Sequence, residues 1–157
     1  MLSLFLRNLV FTILQPGFVA VLIPYFIVKN QWEIIFENDF SWQNYSGIFI
    51  TFIGLIIVFY CIFDFAIKGK GTLSPADKTK ELVISSLYKY SRNPMYVGVI
   101  LILIGETLFF ASIELAIYTF VVFLGFHLFV IYFEEPRLKK DFKKQYTQYI
   151  NNVNRWF

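Results

Sequence analysis

Three long apolar blocks, separated by polar and charged stretches, organise the chain. The first runs from about residue 4 to 28 and is interrupted by Gln15-Pro16-Gly17 and by Pro24. Proline removes a backbone donor and crowds the preceding turn, so this block predicts a kinked or partly re-entrant helix. The second block covers about 46–67. The third runs from Met95 to Phe133, 39 residues. A bilayer core of about 30 Å needs roughly 20 residues of helix, so the third block is too long for one crossing. Splitting it at Ala111-Ser112-Ile113-Glu114 gives two helices, about 95–111 and 115–133, joined by a tight turn. The pattern predicts an all-α integral membrane fold of about four transmembrane helices, in a single domain over 1–157.

Composition supports that class. Of 157 residues, 57% are hydrophobic, 21% aromatic and 16% charged, with a mean hydropathy of +0.60. Soluble domains average about 25% charge, and the 20 Phe and 10 Tyr present exceed what a core of this size can hide. The same figures argue against a disordered chain, a disulfide scaffold or a nucleic-acid-binding module, so no nucleic-acid partner is expected. Cys61 is the single cysteine, which excludes an internal disulfide and a cysteine-based metal cluster.

Charge then orients the helices. Of the 14 Lys and Arg, six lie in 68–94 and six in 134–157, whereas the 29–45 loop carries Lys29 against Glu33, Glu37 and Asp39. The positive-inside rule places both basic segments in the cytoplasm and the acidic loop outside. Four spans with both termini cytoplasmic satisfy every loop, and a cell-membrane location is expected. No A-x-A-like cleavage site follows the first apolar run, so that segment is expected to be retained.

The polar segments hold the candidate chemistry. The 68–94 loop is 27 residues long, more than most connections need. It opens with Gly69-Lys70-Gly71, and Ser74-Pro75-Ala76-Asp77 reads as the start of a short helix. It closes with Ser91-Arg92-Asn93-Pro94. Asn is a favoured N-cap and Pro a favoured first helical residue, so Asn93 and Pro94 mark the cytoplasmic mouth of the third span. In the tail, Leu138, Phe142, Tyr146, Tyr149, Val153 and Trp156 recur at helical spacing, with Lys139, Lys140, Lys143 and Lys144 mainly on the other faces. That amphipathic C-terminal helix either lies in the headgroup region or folds back over the bundle.

Glu134-Glu135-Pro136 marks the exit of the fourth span, where adjacent carboxylates need water, partners or a function. Glu134 is expected to pair with Arg92 or a lysine, or to hold a polar ligand. Asp64 sits four residues before Lys68, which predicts local pairing. Glu106 lies toward the outer turn, where water is expected. His127 stands seven residues before Glu134, on the same face of a regular helix, and is expected to hydrogen-bond within the bundle. Without a second His or a nearby Cys, no metal site is expected.

The string Leu87-Tyr88-Lys89-Tyr90-Ser91-Arg92-Asn93-Pro94-Met95-Tyr96-Val97-Gly98, preceded by Leu82-Val83, is followed by Glu134-Glu135-Pro136-Arg137-Leu138. The run Phe142, Tyr146, Tyr149 and Val153-Asn154-Arg155-Trp156 comes next. Together they resemble the isoprenylcysteine carboxyl methyltransferase family, particularly its short bacterial members, and the related phospholipid N-methyltransferases. The resemblance covers about 69–157. It implies a helical membrane enzyme that uses S-adenosylmethionine, with a cytoplasmic cofactor-binding loop, and that acts on a lipophilic small molecule or membrane lipid. It further implies that Leu82, Val83 and Tyr88 line the cofactor, that Asn93, Pro94, Met95 and Tyr96 form its polar and stacking wall, and that Glu134 holds it with support from Glu135. Carboxyl methylation is the favoured reaction, with phospholipid N-methylation and a non-catalytic scaffold or partner subunit as alternatives. A membrane reductase using a nicotinamide cofactor is a further, lesser alternative. Three departures stand out. Val130 occupies the place of a substrate-contacting Arg, and Ser86 and Lys143 each stand where the family pattern has Gly.

Overall fold

A computed structural model describes residues 16–32, 39–68 and 82–156. The first half of the first apolar block and the Ser74-Pro75 cap lie outside the described residues. A wide π-turn, Phe18–Leu22, leads into α1, Ile23–Val28. Next come α2, Trp42–Lys68, a 3₁₀ turn, Ser86–Lys89, and α3, Pro94–Phe110. The chain ends with α4, Ile113–Phe129, a second π-turn, Val130–Glu134, and α5, Glu135–Asn152. Among the described residues, two helical runs, beginning at Trp42 and Ile113, are long and apolar enough to cross a membrane; α1 with its π-turn, and α3, are shorter apolar helices. The run from Ile113 continues to Asn152 only through a kink at Lys143, where the backbone leaves helical geometry. Its apolar part ends at Phe133.

Local chemistry sets the boundaries. α2 starts four residues before the expected position because Asn44 closes a capping arrangement. The Ser41 backbone N–H donates to Asn44 Oδ1 at 2.8 Å, and Asn44 Nδ2 donates to the Phe109 carbonyl at 2.7 Å. The expected break within the third apolar block occurs at Ala111-Ser112. Ala111 is left-handed (φ 46°), and Ser112 Oγ accepts the Leu115 N–H at 3.3 Å. At Glu134-Glu135-Pro136, by contrast, the helix does not stop. The Glu135 N–H reaches back five residues to the Val130 carbonyl, and this wider turn is followed directly by Pro136, which has no donor to lose. The extra residue in that turn shifts the helix register, so His127 and Glu134 do not act as neighbours on one face.

α2 and α3 pack antiparallel through glycine. A methyl group at Gly47 would lie 2.6 Å from the Gly105 carbonyl oxygen, and one at Gly54 would lie 2.7 Å from the Gly98 carbonyl oxygen. Small residues at such a seam allow backbones to meet where lipid removes the hydrophobic drive for helix association. The small buried cluster of Ala20, Val58, Val99, Ile102 and Leu103 lies beside the seam. Outward faces remain apolar: Phe49, Phe52, Phe59 and Phe63 on α2, and Ile113, Phe120 and Val121 on α4, are exposed. A surface this apolar faces lipid rather than water.

Candidate functional site

The glycine seam fixes the level at which the polar ends of α2 and α3 meet. Seven residues past Gly54 stands buried Cys61, followed by buried Asp64. Asp64 Oδ1 accepts a hydrogen bond from Ser86 Oγ at 3.1 Å, which ties the second span to the 3₁₀ turn. The Lys68 side chain, the partner expected for Asp64, lies outside the described residues. Ser86 has φ 58°, a left-handed value that suits glycine.

At the mouth of α3, Tyr96 and Glu134 come together. The Tyr96 hydroxyl donates to Glu134 Oε2 at 3.2 Å, and its ring stacks on Phe126 with centroids 4.6 Å apart. Both residues are half-buried. Tyr88 is close enough for the charges of Glu134 and Asp64 to act on its phenol, whose pKa is pushed well up, chiefly by burial. Its backbone carbonyl accepts the Tyr149 hydroxyl at 2.6 Å. Pro94 is buried at the first turn of α3, and Met95 is half-buried.

Asn93 occupies the N-cap position, but its side chain does not cap α3. It is committed to the tail: Nδ2 donates to the Arg155 carbonyl at 3.0 Å, while the Arg92 N–H donates to the Asn154 carbonyl at 3.0 Å. Glu135 completes this clasp. Its Oε1 lies 2.7 Å from Arg155 Nε and 3.1 Å from Arg92 Nη1. Arg92 thus pairs with the second glutamate of the Glu134-Glu135 pair rather than with the first, the partner expected from sequence. Burial alone would raise the Glu135 carboxyl. The hydrogen bond from Arg155 and the charges of Arg92, Arg155 and Lys139 outweigh it and hold the group below the ordinary glutamate value. Trp156 Nε1 donates to His127 Nδ1 at 3.2 Å and stacks on the same ring, so His127 has its partner inside the molecule. The end of the tail therefore folds back on the bundle.

Leu82 lies elsewhere. With Lys89, Phe142, Gln145 and Tyr149 it lines a cavity of about 820 Å³ between the 82–89 segment and α5. Val83 is half-buried, and neither Tyr96 nor Glu134 lines that cavity. Six of the nine named residues thus fall into three groups: Leu82 at the cavity, Tyr88, Tyr96 and Glu134 at the helix mouth, and Asn93 and Glu135 in the clasp. Sequence reasoning missed Arg155, Phe126 and the Asp64–Ser86 link. The opposite charges of Arg155 and Glu135 were visible, but no periodicity connects residues 20 positions apart. The glycines had a legible signal, a spacing of seven in each of two spans.

Apolar helices facing lipid, with an acidic and aromatic site at one end of the bundle, define a helical membrane protein. The family model for phospholipid methyltransferase matches residues 42–145, well over half the chain, so the chain belongs to that family. This is the relative of the isoprenylcysteine carboxyl methyltransferases named above, and the match does not single out the carboxyl-methylating group. Methyltransferases of the family use S-adenosylmethionine. No curated protein and no solved structure matches the chain.

The residues present suit that cofactor. The buried Nε of Arg92 has no hydrogen-bond partner, and a buried donor without one is costly. A carboxylate would satisfy it. The Glu134 carboxyl beside the Tyr96 and Phe126 rings suits a cationic sulfonium or ammonium.

Proposed function

We propose that the protein methylates a lipophilic acceptor at the cytoplasmic membrane interface, in a four-span bundle with both termini in the cytoplasm. The single observation that carries this reading is the half-buried Tyr96–Glu134 pair at the mouth of α3, in a chain of the methyltransferase family. S-adenosylmethionine held there by Glu134, Tyr96 and Arg92 would supply the methyl group, its sulfonium becoming a neutral thioether as the acceptor takes the carbon. Tyr96 orients Glu134 and stacks the site against Phe126. Arg92 offers its unpartnered Nε–H to an anionic group, and the tail held by Glu135 excludes water. Positioning and dryness do most of the work in such a displacement. A carboxylate acceptor is already ionised and needs no base, which keeps carboxyl methylation as the first reading.

A second reading, phospholipid N-methylation, draws on two observations. The family match is to phospholipid methyltransferases. The position for a substrate-binding Arg is Val130, apolar and 1% exposed, so it offers a carboxylate acceptor no cation. An amine acceptor would pass its proton to Glu134, the nearest carboxylate of the site.

S-adenosylmethionine binding to the purified protein in nanodiscs tests the site. Tyr96→Phe and Glu134→Gln should each weaken binding about ten-fold, the loss of roughly one charge-assisted hydrogen bond. Undiminished affinity in both variants would remove these residues from the site. Base treatment of the labelled product then separates the readings, since a methyl ester releases methanol and an N-methyl group does not.

A further inference from the structure

The opposite end of the bundle holds a second polar feature that methyl transfer does not use. The C-terminal half of α3, the N-terminal half of α2, α1 and Trp32 line a cavity of about 320 Å³ that opens to the surface. Its walls are apolar and aromatic, with Tyr25, Trp32, Phe109 and Phe110 among them, and Glu106 is the one carboxylate in its lining, beside Thr51. Trp32 and Phe110 meet edge to face at 5.2 Å. Glu106 Oε2 is buried and has no hydrogen-bond partner. The hydroxyl of Tyr118, which lies close enough to feel the Glu106 charge, donates instead to the Val19 carbonyl at 2.9 Å. Glu106 thus stands at an apolar wall.

A carboxyl group at such a wall is costly without a partner. The partner that also suits the walls is an ammonium, because aromatic faces attract cations. A phospholipid headgroup would bring a phosphate as well, and none of the residues lining the cavity is a cation. Tyr96 and Glu106 are ten residues apart on one helix, about 15 Å along its axis. An ammonium held at Glu106 is therefore out of reach of a methyl donor at Tyr96. We propose that this cavity is a second binding site, taking the head of a long-chain amine whose alkyl tail lies along the apolar helix faces. The proposal does not depend on the methyl-transfer reading.

Trp32 in the cavity wall reports occupancy. The protein in neutral maltoside micelles, carrying Trp42→Phe and Trp156→Phe so that Trp32 is the single indole left, is titrated with a bromo-alkyltrimethylammonium and with the bromo-alcohol of the same chain. The bromine quenches tryptophan that it contacts. The ammonium probe should quench saturably, at a concentration at least ten-fold below that needed for the alcohol, and Glu106→Gln should erase the difference. Adding an unbrominated alkylamine should restore the fluorescence, whereas a zwitterionic alkylphosphocholine should not. Equal quenching by both probes in the unsubstituted site would overturn the proposal without any variant at Glu106. Ammonium selectivity that survives Glu106→Gln would overturn it as well, and competition by the alkylphosphocholine would replace the amine with a phospholipid headgroup.

Discussion

The glycine seam between α2 and α3 and the clasp between the α3 mouth and the tail hold the same site from two sides by opposite means. The seam is made of shape: backbones meet where a single methyl group would intrude to 2.6–2.7 Å. It uses no charge and stands among apolar helices. The clasp is made of charge, with Glu135 between Arg92 and Arg155 and the carbonyls of Asn154 and Arg155 held by residues 91–93. The difference follows solvent. In lipid, close packing holds helices together where water would not drive them. At the interface, water pulls the tail away, and directed bonds are needed to hold it. The site lies where one regime gives way to the other.

The sharpest break falls on the seam. Gly54→Val would push a branched side chain into the Gly98 carbonyl and the Ile102 backbone, neither of which is the free end of a flexible side chain. We expect a loss of about 3 kcal/mol or more, at the upper end for overpacking, seen as a collapse of the folded fraction in detergent. Gly125→Val is the matched control, since nothing lies within 4 Å of a methyl group there, and it should shift stability by no more than about 0.5 kcal/mol. Equal effects at the two glycines would mean that α2 and α3 do not meet at this seam.

The clasp should yield less. Glu135→Gln leaves the Arg92 guanidinium buried without its counter-charge. Removing one member of a fully buried pair costs roughly 3–5 kcal/mol, but Arg155 is 29% exposed and partly screened. We expect about 2 kcal/mol and a weaker hold on the tail. Acid distinguishes the two regions further. Because the folded-state pKa of Glu135 lies below its unfolded value, the pair's contribution is complete above about pH 4.3. It is lost as pH falls through the folded value. The stability gap between the parent and Glu135→Gln should therefore hold steady from about pH 5 to 8 and close in stronger acid, whereas the cost of Gly54→Val should not change with pH. A gap that persists in strong acid would assign the Glu135 effect to packing.

What was legible in the sequence divides along the same line. The apolar blocks announced α2, and the turn at Ala111-Ser112, because spanning a bilayer demands an apolar length that no other use of a helix imposes. The Tyr96–Glu134 encounter was legible only through resemblance to a family, since 38 residues separate the two. The clasp was not legible as a clasp. Asn93 carried a strong N-cap signal, and the structure spends its amide on the tail instead; a local preference yielded to a contact 62 residues away. Nor does sequence show that α1 and Trp32 line a cavity together with Glu106.

The smallest predicted effect concerns two residues, Ser86 and Lys143, held in backbone that favours glycine. Both have positive φ: Ser86 at 58° and Lys143 at 42°, the latter with ψ −113° inside a kink in α5. That second combination belongs to the first central residue of a type II′ turn, a glycine position. Left-handed backbone costs a non-glycine residue about 1–2 kcal/mol, while glycine's freer unfolded chain costs about 0.5–1 kcal/mol. Lys143→Gly should therefore stabilise the tail by about 0.5–1 kcal/mol, read as a raised unfolding midpoint. Ser86→Gly relieves similar strain but loses the hydroxyl that donates to Asp64, worth about 1 kcal/mol, so the two terms should cancel. A gain at Lys143 without one at Ser86 would show that the serine is retained for its link to the second span. Equal gains at both would mean that the Asp64–Ser86 bond contributes nothing to stability, and no gain at Lys143 would mean that the kink is not strained.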